Sequence, residues 1–81
     1  MTKSLIQRNL RLGHEFDTYV ARHRGPLELL SRKVHVVLTS SDDLELSDAN
    51  RRIVKSKKIH RLIEAHKSGR TWTLTRLNST N

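Results

Sequence analysis

Apolar residues recur along the start of the chain at helical spacing. Leu5, Leu12, Phe16, Tyr19 and Val20 fall in one stripe with a repeat of roughly 3.6 residues, widened by Ile6 and Leu10. Arg8, Arg11, Glu15 and Arg22 lie away from its centre, so residues 4–23 are predicted to form an amphipathic helix. Asn9 projects into the stripe. A buried amide costs stability unless it is hydrogen-bonded, so Asn9 reads as a structural residue holding a neighbouring turn. Gly25-Pro26 ends the pattern, because proline disfavours a helical residue before it, and Leu27, Leu29 and Leu30 suggest a short apolar turn packing back.

The pattern then changes period. Val34 to Thr39 is a β-branched run of strand length. Ser40-Ser41-Asp42-Asp43 ends it and supplies capping oxygens for a second helix, with Asp42 and Glu45 spaced like a capping box and the start placed near Asp43 to Ser47. That helix is expected to run toward Lys67, with Gly69 as its C-terminal cap. Leu46, Ala49 and Ile53 share one side, whereas Ile59, Leu62 and Ile63 rotate away, which marks a bend or break around Lys55 to Lys58. Thr71 to Leu77 alternates, with Trp72 and Leu74 on one face and Thr71, Thr73 and Thr75 on the other, as in a half-buried strand.

The predicted order is helix–strand–helix–strand in one α/β domain over residues 1–77, with α+β as the alternative class and residues 78–81 a disordered tail. A strand–helix–strand unit gives a two-stranded parallel sheet with both edges unpaired. The expected remedy is a homodimer that extends the sheet, or a strand added by another protein.

Composition narrows the class. Eighty-one residues suffice for one domain with a thin core, and only 35% are hydrophobic. The absence of cysteine removes disulfides and thiolate chemistry, and no apolar run reaches the roughly 18 residues of a membrane span. With no signal-peptide pattern near Met1, the expected location is cytoplasmic, with no membrane partner. The Asn78-Ser79-Thr80 sequon carries no weight in that setting.

Charge is the strongest functional signal. Residues 1–50 balance seven Lys/Arg against seven Asp/Glu, whereas residues 51–81 hold nine Lys/Arg against Glu64 alone. Arg51, Arg52, Lys55, Lys57, Lys58, Arg61, Lys67 and Arg70 therefore form the candidate polyanion-binding set, since cations clustered along a helix can neutralise successive phosphates. The plainer reading is a solvated helix face. Few aromatics are available to stack on bases.

Other chemistry is weaker. His14, His23, His35, His60 and His66 lack the i, i+4 spacing of paired metal ligands; His60 with Glu64 has it, but such a pair reads as a surface contact. Ser40, Ser41, Asp42 and Asp43 stand at the carboxyl end of a strand, where α/β proteins place ligands, yet capping explains them more simply. No catalytic, cofactor-binding or metal-binding residue is assigned, no cofactor is implied, and the chain is read as not an enzyme.

Asn9-Leu10-Arg11-Leu12-Gly13-His14-Glu15-Phe16-Asp17-Thr18-Tyr19 resembles the N-L-x-L-x-x-E-F-x-x-Y segment of a small, uncharacterised prokaryotic family of unknown function. The resemblance continues through Val34 to Leu38, through Asp42-Asp43-Leu44-Glu45-Leu46 and to Asn50, about half the chain. The sequence departs from the family pattern at Leu44, where a proline is expected, and in its longer basic helix. The resemblance implies an α/β arrangement and a prokaryotic, intracellular origin, and no activity. The reading from sequence is a non-enzymatic intracellular binding module that presents its basic helix to an acidic partner, with DNA, RNA or an acidic protein expected; the alternative is a protein–protein accessory or antitoxin-like regulator acting through exposed strand edges.

Overall fold

The computed structural model describes residues 2–23, 34–57 and 61–78. In chain order these form helix α1 (Lys3–Arg22), strand β1 (His35–Ser40), helix α2 (Leu44–Lys55), and strands β2 (Arg61–Ser68) and β3 (Thr71–Asn78). The expectations for Gly25-Pro26, for Leu27, Leu29 and Leu30, for Ile59 and for residues 79–81 lie outside the described residues.

α1 follows its stripe. Thr2 caps it by accepting the Leu5 amide at 3.2 Å, and Leu5, Leu12 and Phe16 are buried. They meet Leu46, Ala65 and Trp72 in the core, with Val36, Leu38, Ala49 and Leu74 packed around. The Phe16 and Trp72 rings lie 5.1 Å apart at a tilted angle, and Tyr19 sits 6.2 Å from Trp72. Aromatic pairs favour such tilted contacts, so α1 is anchored on β3 at one end.

Several expectations are corrected here. The second helix stops at Lys55, and residues 61–68 are a strand. The sheet is therefore three-stranded and mixed, in the order β1-β2-β3, with β1 parallel to β2 and β2 antiparallel to β3. An α+β class fits this arrangement. Gly69 is not a helix cap but the first residue of the hairpin turn between β2 and β3, at φ +63°, a conformation glycine adopts without steric cost. The N-cap of α2 is Asp43, whose side chain accepts the Leu46 amide at 3.1 Å, rather than Asp42. β3 runs through Asn78, one residue beyond the expected boundary.

A further correction concerns the sheet edges. Within a strand, the N–H and C=O of one residue point to the same side and alternate from residue to residue. The Ser41 amide donates to Lys67 O at 2.9 Å, so the backbones of Leu38 and Ser40 face away from β2. α2 fills that side. Ser47 Oγ accepts from Ser40 N at 2.8 Å and donates toward Ser40 O at 3.0 Å, and Asn50 Nδ2 donates to Leu38 O at 2.8 Å. Asn50 also donates to Asn9 Oδ1, which ties α2 to α1. Asn9 thus bonds a side chain of the second helix. Two polar side chains of α2 take the place of a missing strand, and both residues are buried.

Candidate functional site

α2 carries opposite charges at its two ends. Asp43 stands at its N-cap, Glu45 in its first turn, and Arg52 and Lys55 in its last, the arrangement the helix macrodipole favours. The basic end continues into Lys57 and, four residues on, Arg61 at the start of β2. Four residues span at most roughly 14 Å, so these cations share one pole of the molecule. Register adds Arg76, which pairs with Ile63 while Arg61 pairs with Asn78. Arg61 and Arg76 are therefore diagonal neighbours on one sheet face. Arg52, Lys55, Lys57, Arg61 and Arg76 are all exposed, and among the described residues none enters an ion pair.

The other expected members separate from this pole. Lys58 lies outside the described residues. Arg70 is exposed in the hairpin turn, at the far end of β2 from Arg61, roughly 23 Å along a strand of this length. Lys67 is held by Glu15 of α1. Arg51 donates to Glu64 Oε2 at 3.0 Å, with Asp48 at 3.9 Å. The expected set of eight does not form one surface. Arg76 was missed because the expected set was confined to the basic helix and its end, and Arg76 lay in the last predicted strand; the signal was its parity with Trp72 and Leu74.

Arg51 belongs to a polar network on the sheet face away from α1. Glu64 Oε2 also accepts from Thr39 Oγ1 at 2.8 Å, and Thr39 Oγ1 lies 2.8 Å from His66 Nδ1. Burial pushes the Glu64 carboxyl up, but the hydrogen bonds from Arg51 and Thr39, with the charges of Arg51 and His66, outweigh it and hold the group below the usual glutamate range. An ionised carboxylate only accepts, so the one Thr39 proton goes to Glu64. His66 Nδ1 must then carry a proton and donate to Thr39. The chain of donors runs His66 to Thr39 to Glu64, with Arg51 closing it. Thr39 is completely buried, so its hydroxyl orients this network rather than meeting a substrate.

The carboxyl ends of β1 and β2 frame an open cleft of about 240 Å³ beside the N-terminus of α2. Arg8 reaches both Asp43 oxygens at 2.9 and 3.0 Å and Glu45 at 2.6 Å. For Arg8 the hydrogen bond to Glu45 leads in raising its affinity for its proton, as the bond to Glu64 does for Arg51. With Arg8 and Lys67 paired internally, the cleft acts as an electrostatic clasp between α1 and the sheet. Ser40 is part of it: its hydroxyl accepts from the Asp42 amide at 3.1 Å. Among the described residues, no three His, Asp or Glu side chains are grouped to hold a metal ion.

No family model, no curated protein and no solved structure matches the chain. No described helix is long and apolar enough to cross a membrane.

Proposed function

We propose that this chain is a small, non-enzymatic binding module whose basic pole engages a polyanion, with the phosphate backbone of a nucleic acid as the best fit. The observation that carries this reading is the convergence of Arg52, Lys55, Lys57, Arg61 and Arg76, all exposed and without a carboxylate partner among the described residues. Glu64, the single acidic residue after Asp48, is already engaged by Arg51. Phe16 and Trp72 are buried and Tyr19 packs on Trp72, which leaves no aromatic platform for bases. Binding is then to backbone and independent of sequence.

Titration of fluorescent duplex DNA and RNA at about 50 and 200 mM salt tests this. Five phosphate contacts on duplex DNA give a log–log salt slope of roughly −4.5. The double variant Arg52→Glu with Lys55→Glu should reduce affinity at least tenfold. Binding that ignores salt, or that survives the double variant unchanged, overturns the proposal. The second reading, a protein–protein accessory acting through strand edges, keeps support at β3 alone, because α2 fills the outer edge of β1.

A further inference from the structure

The outer edge of β3 stands in contrast to that of β1. In a two-residue hairpin the closing pair, here Ser68 and Thr71, exchanges its hydrogen bonds. The backbones of Thr71, Thr73, Thr75 and Leu77 therefore face β2, and those of Trp72, Leu74 and Arg76 face outward. Among the described residues no strand lies on that side. Most of the usual devices that blunt an edge are also missing, Arg76 being the one charged residue of β3. β3 is eight residues long, its register against β2 is unbroken by a bulge, and it holds no proline and no lysine.

We infer that β3 pairs antiparallel with β3 of a second copy of this chain, about a two-fold axis through Leu74, to give a continuous six-stranded sheet. Strand geometry restricts the register. Outward-facing residues must meet outward-facing residues, so Trp72, Leu74 and Arg76 pair among themselves. Centring the axis on Leu74 sets Leu74 opposite the partner's Leu74, Thr73 opposite the partner's Thr75, and Arg76 opposite the partner's Trp72. It engages Thr71 through Leu77 of both chains and sets no like charges face to face. A slip of one step in one direction puts Arg70 directly opposite the partner's Arg76, a like-charge pair that destabilises antiparallel strands. A slip the other way leaves Thr71 outside the paired segment and sets Leu77 opposite the partner's Thr73. Sequence and geometry agree on one self-complementary arrangement, the requirement for a two-fold interface.

The pairing has a consequence for the basic pole, although it does not depend on that reading. Arg70, isolated at the hairpin of a single chain, comes opposite Asn78 of the partner subunit. It then lies two strand spacings, roughly 10 Å, from the partner's Arg61. Each hairpin cation thus joins the other chain's basic pole.

Light scattering over a concentration series should give a mass near twice the 9.4 kDa of one chain. Thr73 and Thr75 are exposed, so replacing both with lysine leaves the fold intact while setting like charges across the interface. That variant should run as a single chain. Mixing it with the variant carrying Glu at both positions should restore the dimer mass. The chain has no cysteine, which allows a register test. Thr73→Cys mixed with Thr75→Cys should cross-link under mild oxidation, because directly opposed residues of this pair type have Cα atoms roughly 4.5 Å apart, within disulfide reach. Thr73→Cys alone should cross-link at least tenfold less. A single-chain mass at every concentration overturns the inference, as does a dimer that tolerates the double lysine variant. Cross-linking of Thr73→Cys to itself in preference to Thr75→Cys overturns the register.

Discussion

The two outer edges of the sheet meet the same problem in opposite ways. At β1, Ser47 and Asn50 of α2 bond the outward N–H and C=O of Ser40 and the C=O of Leu38, so the carboxyl-terminal half of this edge is closed from within the chain. At β3 the outward groups of Trp72, Leu74 and Arg76 have no strand beside them among the described residues. A strand–helix–strand crossover brings a helix back past the first strand, and two short polar side chains at positions 47 and 50 of that helix suffice to close the edge. A hairpin offers no such helix to its last strand. The difference lies in connectivity, and it makes one edge structural and leaves the other available.

The largest effect should come from opening the closed edge. Asn50→Ala removes the donor to Leu38 O and to Asn9 Oδ1, and leaves two acceptors without their partner in a nearly buried site. A buried acceptor without a partner costs about 1–3 kcal/mol, so urea unfolding should show a loss of roughly 2–4 kcal/mol. Asn9→Ala takes away the second bond alone and should cost less than half as much. Equal costs for the two variants would show that the Leu38 carbonyl is not what Asn50 protects. By the same comparison Thr73→Ala, on the open edge, should change single-chain stability by about 0.5 kcal/mol or less.

How far the closed edge was legible in sequence follows from the same residues. The α1 stripe, the valine run of β1 and the alternation of β3 each declare a period, and each element formed where it was expected to within a residue or so. β2 did not. Arg61 to Ser68 contains Leu62, Glu64, Ala65 and Lys67, all good helix formers, and its buried positions Leu62, Ile63 and Ala65 do not alternate. A central strand is covered on both faces and flanked on both sides, so it shows no period of two, and pairing with β1 and β3 overrides local propensity. Losing β2 hid both the third strand and the hairpin, and made Gly69 look like a helix cap. The basic residues were legible as a count but not as a surface. Arg51 and Lys67 were lost to Glu64 and Glu15, carboxylates 13 and 52 residues away in sequence, and such pairings exist only in the fold.

A smaller effect is expected behind the closed edge, where Thr39 of β1 holds Glu64 of β2. Thr39→Val keeps the volume and removes a hydroxyl that serves both Glu64 and His66, for a loss of roughly 1–2 kcal/mol near neutral pH. The pH dependence should change as well. The folded Glu64 carboxyl titrates below its unfolded value, so its contribution is present above the unfolded pKa and is lost as pH falls through the folded one. Without Thr39 the desolvation that opposes ionisation meets fewer hydrogen bonds, and the folded pKa rises. Acid unfolding followed by circular dichroism should then begin at a higher pH in the variant. An unchanged acid limb would show that Arg51 alone keeps the carboxylate charged.

At Gly13 the change should be a gain. Gly13 lies mid-helix in α1, above β1, and a Cβ built there would approach Leu38 Cδ1 at 3.7 Å, an ordinary contact. Glycine inside a helix costs roughly 0.5–1 kcal/mol relative to alanine through the entropy of the unfolded chain. Gly13→Ala should therefore raise stability by about that amount, with the methyl packing on the same Leu38 whose carbonyl Asn50 protects. If urea unfolding instead showed a loss, α1 must sit closer to β1 than this spacing allows, and the closed edge would owe its stability to tight helix approach as well as to its two polar side chains. Combining Gly13→Ala with Asn50→Ala separates these terms. Additive effects assign edge closure to Ser47 and Asn50, whereas a gain that vanishes once Asn50 is gone makes the position of α1 depend on the Asn9–Asn50 bond.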